Sequence, residues 1–175
     1  FCGSGVGHNP VYASAAKELA LLFCKTNTTL VYGGGNIGLM GILADEVLRN
    51  QGQVVGIIPD FLVQREVGHQ GITRLEIVKS MHERKKRMAD LADVFIALPG
   101  GLGTLDELAE ILTWKQLKLI RQPVGLLNTN AYFDPLINQM KLMVDSGFLR
   151  EENFQDLQIH KAPAILLALL GITAA

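Results

Sequence analysis

Cysteine is scarce in this chain, with Cys2 and Cys24 the only two in 175 residues. Two thiols set in apolar sequence make no disulfide framework. Buried free thiols in a reducing compartment are expected instead, which points to the cytoplasm. Long hydrophobic runs are also missing. The stretch Ala162 to Ile172 is shorter than the about 18 residues that a membrane span needs, and Pro163 interrupts it. No signal peptide is visible. The start, Phe1-Cys2-Gly3, reads as the end of a strand whose earlier residues are missing, so an upstream targeting segment stays open. Charge is sparse and balanced: 19% of residues are charged and the formal net charge is −1. No overall field therefore draws the chain to nucleic acid or to an anionic membrane, and any phosphate must be held by a local site.

Several chemistries lack their residues. No glycine turn ends in Gly-Lys-Ser or Gly-Lys-Thr, so a Walker loop is absent. His8, His69, His82 and His160 are scattered, with neither an HExxH pair nor zinc spacing, so no metal site is expected. There is no Gly-x-Ser-x-Gly elbow. A dinucleotide fingerprint would place an acid roughly 20 residues on, at the end of the second strand. That strand here runs out as Val31-Tyr32-Gly33-Gly34-Gly35 with no acid. No cofactor is expected.

What the chain does have is alternation. Short runs rich in Val, Ile and Leu read as buried strands at Thr29–Tyr32, Gln53–Ile58, Leu75–Val78, Val94–Leu98 and Val124–Leu127, with a weaker one at Leu157–His160. Between them, helical patterns cover Val11–Cys24, Leu39–Arg49, Ser80–Ala92, Leu105–Leu117 and Phe133–Val144. Ser80 and Glu83 have capping-box spacing, and Gly147 suits a helix C-terminus. The order predicts an α/β fold of Rossmann-like, three-layer α/β/α form, with a mostly parallel sheet of about seven strands. Length and the lack of any linker predict one domain over residues 1–175.

In such sheets ligands bind beyond the carboxyl ends of the strands. Three turns there are glycine-rich: Gly3-Ser4-Gly5-Val6-Gly7, Gly33-Gly34-Gly35-Asn36-Ile37-Gly38 and Pro99-Gly100-Gly101-Leu102-Gly103-Thr104. A helix that starts after such a turn aims unpaired N–H groups at it and favours an anion. One such turn can be packing alone, whereas three at successive strand ends can line one cleft. Near the third turn stands Glu107, and two readings compete for it. Thr104-x-x-Glu107 is a capping-box pattern in which the carboxylate merely bonds to backbone. Alternatively, the acid faces the cleft. Asp106 and Glu110 suit the helix dipole or solvent. Met81-His82-Glu83-Arg84-Lys85-Lys86-Arg87 puts four basic residues at a helix start, against the dipole, which suggests an anion nearby. Lys86 and Arg87 fit a solvated face, while Arg84 and Lys85 can reach the cleft. Trp114 reads as packing or as a flank for a bound base.

These segments resemble a known family. PGGLGTLDE, Pro99 to Glu107, is similar to the PGGxGTxxE motif of LONELY GUY (LOG) proteins, and MHERK, Met81 to Lys85, to their MHxRK segment. LVYGGGNIGLMG from Leu30, Thr113 to Leu117 and PVGLLN from Pro123 match as well, so the resemblance runs from Phe1 to about Phe148. It implies a cytokinin riboside 5′-monophosphate phosphoribohydrolase, which releases free base and ribose 5-phosphate from an N6-modified adenosine 5′-monophosphate. Arg84 and Glu107 would be the catalytic pair. Gly100, Gly101, Gly103 and Thr104 would bind phosphate, and Met81 and Lys85 would line the nucleotide site. Gly3, Ser4 and Gly35 would be further nucleotide contacts. A homodimer with sites near its interface is implied, with no nucleic acid or membrane partner. Such proteins are often labelled possible lysine decarboxylases, a chemistry for which no pyridoxal phosphate site can be argued here. The rival readings are a general 5′-nucleotide nucleosidase acting on AMP and a non-enzymatic nucleotide or molybdenum-cofactor carrier. Two departures stand out. Gly5 replaces the second serine of the family's CGSS, and Lys118-Leu119-Ile120-Arg121 stands where a glycine and then a histidine are usual.

Overall fold

A computed structural model of the chain describes residues 1–63 and 68–173. Its elements run α1 (Val11–Lys25), β1 (Leu30–Tyr32), α2 (Gly38–Arg49), β2 (Val54–Pro59), β3 (Arg74–Val78), α3 (Met81–Leu91), β4 (Phe95–Ala97), α4 (Leu102–Gln116), β5 (Val124–Leu127), α5 (Asp134–Asp145), α6 (Glu151–Gln155), β6 (Leu157–His160) and α7 (Pro163–Leu169). Among the described residues the named strands all pair in parallel, in the orders β1-β2-β3 and β4-β5-β6. The central strand of each trio, β2 and β5, is buried along its whole length. Their unbroken apolar runs follow from cover on both faces.

The expected single sheet of about seven strands is corrected to two three-stranded sheets. The reason lies at the inner edge of β4. There Phe1–Gly3 runs extended, with the Phe1 nitrogen donating to the Ile96 carbonyl at 2.8 Å. Leu98 N–H donates to the Phe1 carbonyl at 2.9 Å, and Gly3 N–H to the Pro99 carbonyl at 3.1 Å. These strand-like bonds all run to Ile96, Leu98 and Pro99, and among the described residues no ladder joins the segment to β1. A cavity opens between Phe1 and Cys2 on one side and Leu30–Tyr32 on the other.

Helices cover both faces. On one side α1, α2 and α7 bury Leu19, Ala20, Leu43, Ala44, Val47 and Leu166 against the sheet. Alanines with no exposure, Ala16, Ala20 and Ala44, belong to this cluster and let the helices approach closely. On the other side α3, α4 and α5 contribute Ala89, Leu108, Ile111 and Met140. Each fully buried Leu or Ile adds roughly 1.5–3 kcal/mol to the fold before entropy is counted.

Local signals set several helix ends. Ser80 caps α3, its Oγ accepting the Glu83 N–H at 3.1 Å, and the Glu83 carboxylate accepts from Lys79 N–H at 2.7 Å. The capping box therefore forms, with its return bond one residue earlier than the standard pattern. After α5, Gly147 takes a left-handed φ of 79° and Phe148 N–H bonds back to the Met143 carbonyl at 2.8 Å, closing a Schellman turn. Helix α4 starts three residues before the expected Leu105, on an N-cap at Gly101, and that early start decides the role open to Glu107. Helices α6 and α7 were not expected. Pro163, read as a break in an apolar run, is in fact in the first turn of α7, where its missing N–H costs nothing.

Candidate active site

The three glycine turns meet at the carboxyl ends of β1 and β4. Leu39 N–H, at the start of α2, donates to the carbonyls of Gly3 at 3.1 Å and Gly5 at 3.3 Å, so the first and second turns touch. Gly3 N–H bonds to Pro99, so the first touches the third. Gly100 has to be glycine for this. A Cβ there would overlap Thr104 Oγ1 and stand 2.8 Å from the Gly3 nitrogen. Gly33 is similarly constrained, because a Cβ would overlap the Arg84 guanidinium.

Against these turns lies a cavity of about 810 Å³. Its inner part, between the two sheets, is apolar and includes Leu19, Phe23, Val55 and Phe95. Its polar part collects Ser4, Met81, Arg84, Thr104 and Glu107 with the backbone of Gly101, Leu102 and Gly103. Leu105 N–H is the first in α4 to find a partner inside the turn, the Gly101 carbonyl at 3.2 Å. The N–H groups of Leu102, Gly103 and Thr104 precede it, so the helix presents its anion-binding end to the cavity.

Arg84 is buried, at 4% exposure. Its Nε donates to the Ile57 carbonyl at 3.1 Å and its Nη2 to the Gly33 carbonyl at 2.7 Å, while Nη1 sits 3.8 Å from Met81 Sδ. Strand β2, the second glycine turn and helix α3 thus fix the guanidinium together. A rigid planar donor of this kind suits anionic substrate better than a lysine would.

Glu107 is the sixth residue of α4, half-buried on the cavity wall. The capping-box alternative falls away, because the N-cap is Gly101 and Thr104 is the third helical residue. Both charges bear on Cys2. Burial pushes the Cys2 thiol up to about 11, with the Glu107 carboxylate adding to the rise and Arg84 opposing it. Acid, guanidinium and Cys2 all line the one cavity. The sequence alone marks Cys2 only as a free thiol. Its proximity to the pair had no local signal, since it depends on the first segment lying against β4.

Several expected contacts fall elsewhere. Lys85 is not on the cavity wall. It bridges α3 to α4 through Asp106 at 3.2 Å and Glu110 at 3.1 Å. Burial works to lower its pKa, and the bonds to Glu110 and Asp106 outweigh this and raise it. Asp106 and Glu110, read as dipole or solvent residues, are its partners. Lys85 follows Arg84 on α3 and Asp106 precedes Glu107 on α4, so the ion pairs tie together the two helices that carry Arg84 and Glu107. We expect Lys85→Met to lower kcat about tenfold, the scale of a mispositioned charge-stabilising group, with KM within about twofold in steady-state assays. A raised KM with unchanged kcat would instead make Lys85 a substrate ligand.

Gly100 packs against Gly3 and Thr104 rather than lining the cavity, and Gly35 pairs with Gly68 across a β-bridge. Gly3, Ser4, Met81, Gly101, Gly103 and Thr104 do line it. At Gly5 a Cβ would meet nothing within 4 Å, so the family's serine would fit there. Trp114 packs in the α4–α5 cluster and faces a separate shallow depression with Lys118 and Leu119, outside the wall of the main cavity. Arg87 turns outward to Glu76 at 2.7 Å and Lys86 to Asp90 at 3.0 Å, as a solvated face requires.

Parallel pairing, helices on both faces and a pocket at the strands' carboxyl ends make this a Rossmann-like α/β protein. Solved structures share that architecture. The molybdenum cofactor binding protein from Rippkaea orientalis superposes with a TM-score of 0.70 at 23% identity, over 97% of this chain and 92% of the other. The molybdenum cofactor carrier protein from Chlamydomonas reinhardtii gives 0.69 at 20%, over 95% and 90%. At such identities these likenesses concern the fold alone. Residues 40–170 match the family described as "Possible lysine decarboxylase". Sequence relatives are much nearer. The chain is 45% identical over 152 residues to the cytokinin riboside 5′-monophosphate phosphoribohydrolase LOG of Oryza sativa subsp. japonica, covering 87% of this chain and 63% of the relative. It is 46% identical over 149 residues to LOG7 of Arabidopsis thaliana, covering 85% and 69%. It is 43% identical over 150 residues to the phosphoribohydrolase of Rhodococcoides fascians, covering 85% and 76%. The chain belongs to the LOG family of cytokinin riboside 5′-monophosphate phosphoribohydrolases. It spans less than two thirds of the length of the rice LOG protein.

Proposed function

We propose that the chain hydrolyses the N-glycosidic bond of N6-modified adenosine 5′-monophosphates, releasing the free base and ribose 5-phosphate. The observation that carries this reading is the convergence of Arg84, Glu107 and the N-terminal turn of α4 on one cavity. Membership of the LOG family supports it.

In this reading the amides of Leu102, Gly103 and Thr104 hold the 5′-phosphate, and that remote binding energy positions the ribose. As the C1′–N9 bond lengthens, its electron pair moves to the base and positive charge builds on the sugar. The Glu107 carboxylate stabilises that charge and orients water for attack at C1′. Arg84 offsets negative charge on the substrate. The water oxygen ends on C1′ and a proton on the departing base. Neither a metal nor a cofactor enters these steps.

We further propose a homodimer with its sites near the subunit interface. Leu102 is 85% exposed at the mouth of the cavity and Leu105 is exposed beside it, apolar surface that a second subunit would cover. We place the reaction in the cytoplasm, which suits the unbridged thiols Cys2 and Cys24. Among the described residues no helix is long and apolar enough to cross a membrane.

The test is incubation with isopentenyl-AMP, AMP and isopentenyladenosine, with free base followed by chromatography. Fast release from isopentenyl-AMP and slow release from the other two is expected. Equal release from AMP would make the chain a general 5′-nucleotide nucleosidase. Binding with no release of base would make it a carrier.

A further inference from the structure

Tyr132 lies outside the cavity wall, yet it reaches the glycine turn after β4. Its hydroxyl donates to the Gly100 carbonyl. The ring is held on two sides, edge-on to Tyr12 at 5.7 Å and 78° and edge-on to Phe133 at 5.1 Å and 86°. Phe133 is fully buried and anchors this group in the core. Tyr12 in turn packs on Gly7, where a Cβ would come within 2.8 Å of its ring. One aromatic group therefore braces the first and third turns together.

The loop that delivers Tyr132 is built at a cost. Asn130 and Ala131 both take left-handed φ, 54° and 58°, a region that alanine enters unfavourably. Asn128 holds the loop in shape. Its Oδ1 accepts from Phe133 N–H at 2.8 Å and its Nδ2 donates to Asp134 at 2.7 Å. A strained segment maintained by surrounding bonds is a reason to ask what it positions.

The answer follows from the planarity of the peptide. In a trans peptide the carbonyl of one residue and the N–H of the next point in opposite directions, and no cis bond occurs among the described residues. Fixing the Gly100 oxygen on Tyr132 therefore directs the Gly101 N–H the opposite way, and Gly101 is on the cavity wall. The latch has something to prevent. Between two glycines a peptide flips cheaply, since neither residue has a Cβ to oppose it. The flipped peptide would turn a carbonyl oxygen toward the cavity and repel an anion.

We propose that Tyr132 is a positioning residue that locks the Gly100–Gly101 peptide with its N–H toward the 5′-phosphate, and so sets the preference for phosphorylated over unphosphorylated substrate. This rests on the reading of the cavity given above. The variant Tyr132→Phe keeps the ring packing and removes only the hydroxyl. Its kcat/KM for isopentenyl-AMP is expected to fall about tenfold, the scale of one lost hydrogen bond. Its kcat/KM for isopentenyladenosine should stay as in the wild type. An unchanged ratio between the two substrates, or an equal fall in both, overturns the proposal. Calorimetric binding of AMP and of adenosine gives the same comparison without turnover, and there too only AMP should weaken. A wild type that binds AMP but releases base from neither substrate would defeat the hydrolase reading. The binding comparison would then still decide the role of Tyr132.

Discussion

Replacing Glu107 by glutamine is expected to lower kcat by about 100-fold or more, as removal of a positioned charge-stabilising group does, with the fold intact. The substitution keeps the size and polarity of the side chain and removes its charge. It leaves the N-terminus of α4 alone, because the cap is Gly101 and the first helical bond runs from Leu105 to Gly101. The phosphate-binding amides should therefore be unaffected, and AMP should bind as it does to the wild type. Kinetics and a thermal melt on the same preparation check both halves. Turnover near the wild-type level would remove Glu107 from the chemistry. A large loss of melting temperature would return it to a structural role.

The second large effect is expected at Arg84, and it differs in kind. Arg84→Ala should lower kcat by about 100-fold or more and should also destabilise the protein. The side chain is buried and satisfies the Ile57 and Gly33 carbonyls. Each buried acceptor left unpaired costs about 1–3 kcal/mol, so roughly 2–6 kcal/mol is expected for the two. The void beside Gly33, kept open for the guanidinium, adds to this. Arg84→Lys should fall between, since an ammonium keeps the charge but not the planar fork that reaches two carbonyls at once. Denaturant unfolding of the three proteins reads stability, and base release reads chemistry. An alanine variant as stable and active as the wild type would contradict the account of this residue.

The contrast between Glu107 and Arg84 marks how far the sequence could be read. Strands β5 and β6 fall where their apolar runs place them, and the caps at Ser80 and Gly147 form because short-range hydrogen bonding decides them. Helix α4 starts three residues before its apolar pattern does, since glycines at 101 and 103 look like turn while the first is the N-cap and the second already lies in the helix. That shift removed the capping alternative for Glu107. The destination of Lys85 was not legible, because nothing local says which of two neighbouring basic residues faces inward. The three turns were visible as glycine clusters, and their mutual contact was a fair expectation. Tyr132 gave no such signal. Its role depends on the loop after β5 folding back over a turn more than 30 residues earlier, a contact that only the assembled sheets create.

The central claim is an arrangement in space, and a crystal structure of the Glu107→Gln variant with AMP tests it most directly. The account predicts the phosphate against the N–H groups of Leu102, Gly103 and Thr104, with C1′ beside the residue 107 side chain. A phosphate bound elsewhere, or a residue 107 turned away from the sugar, would contradict it.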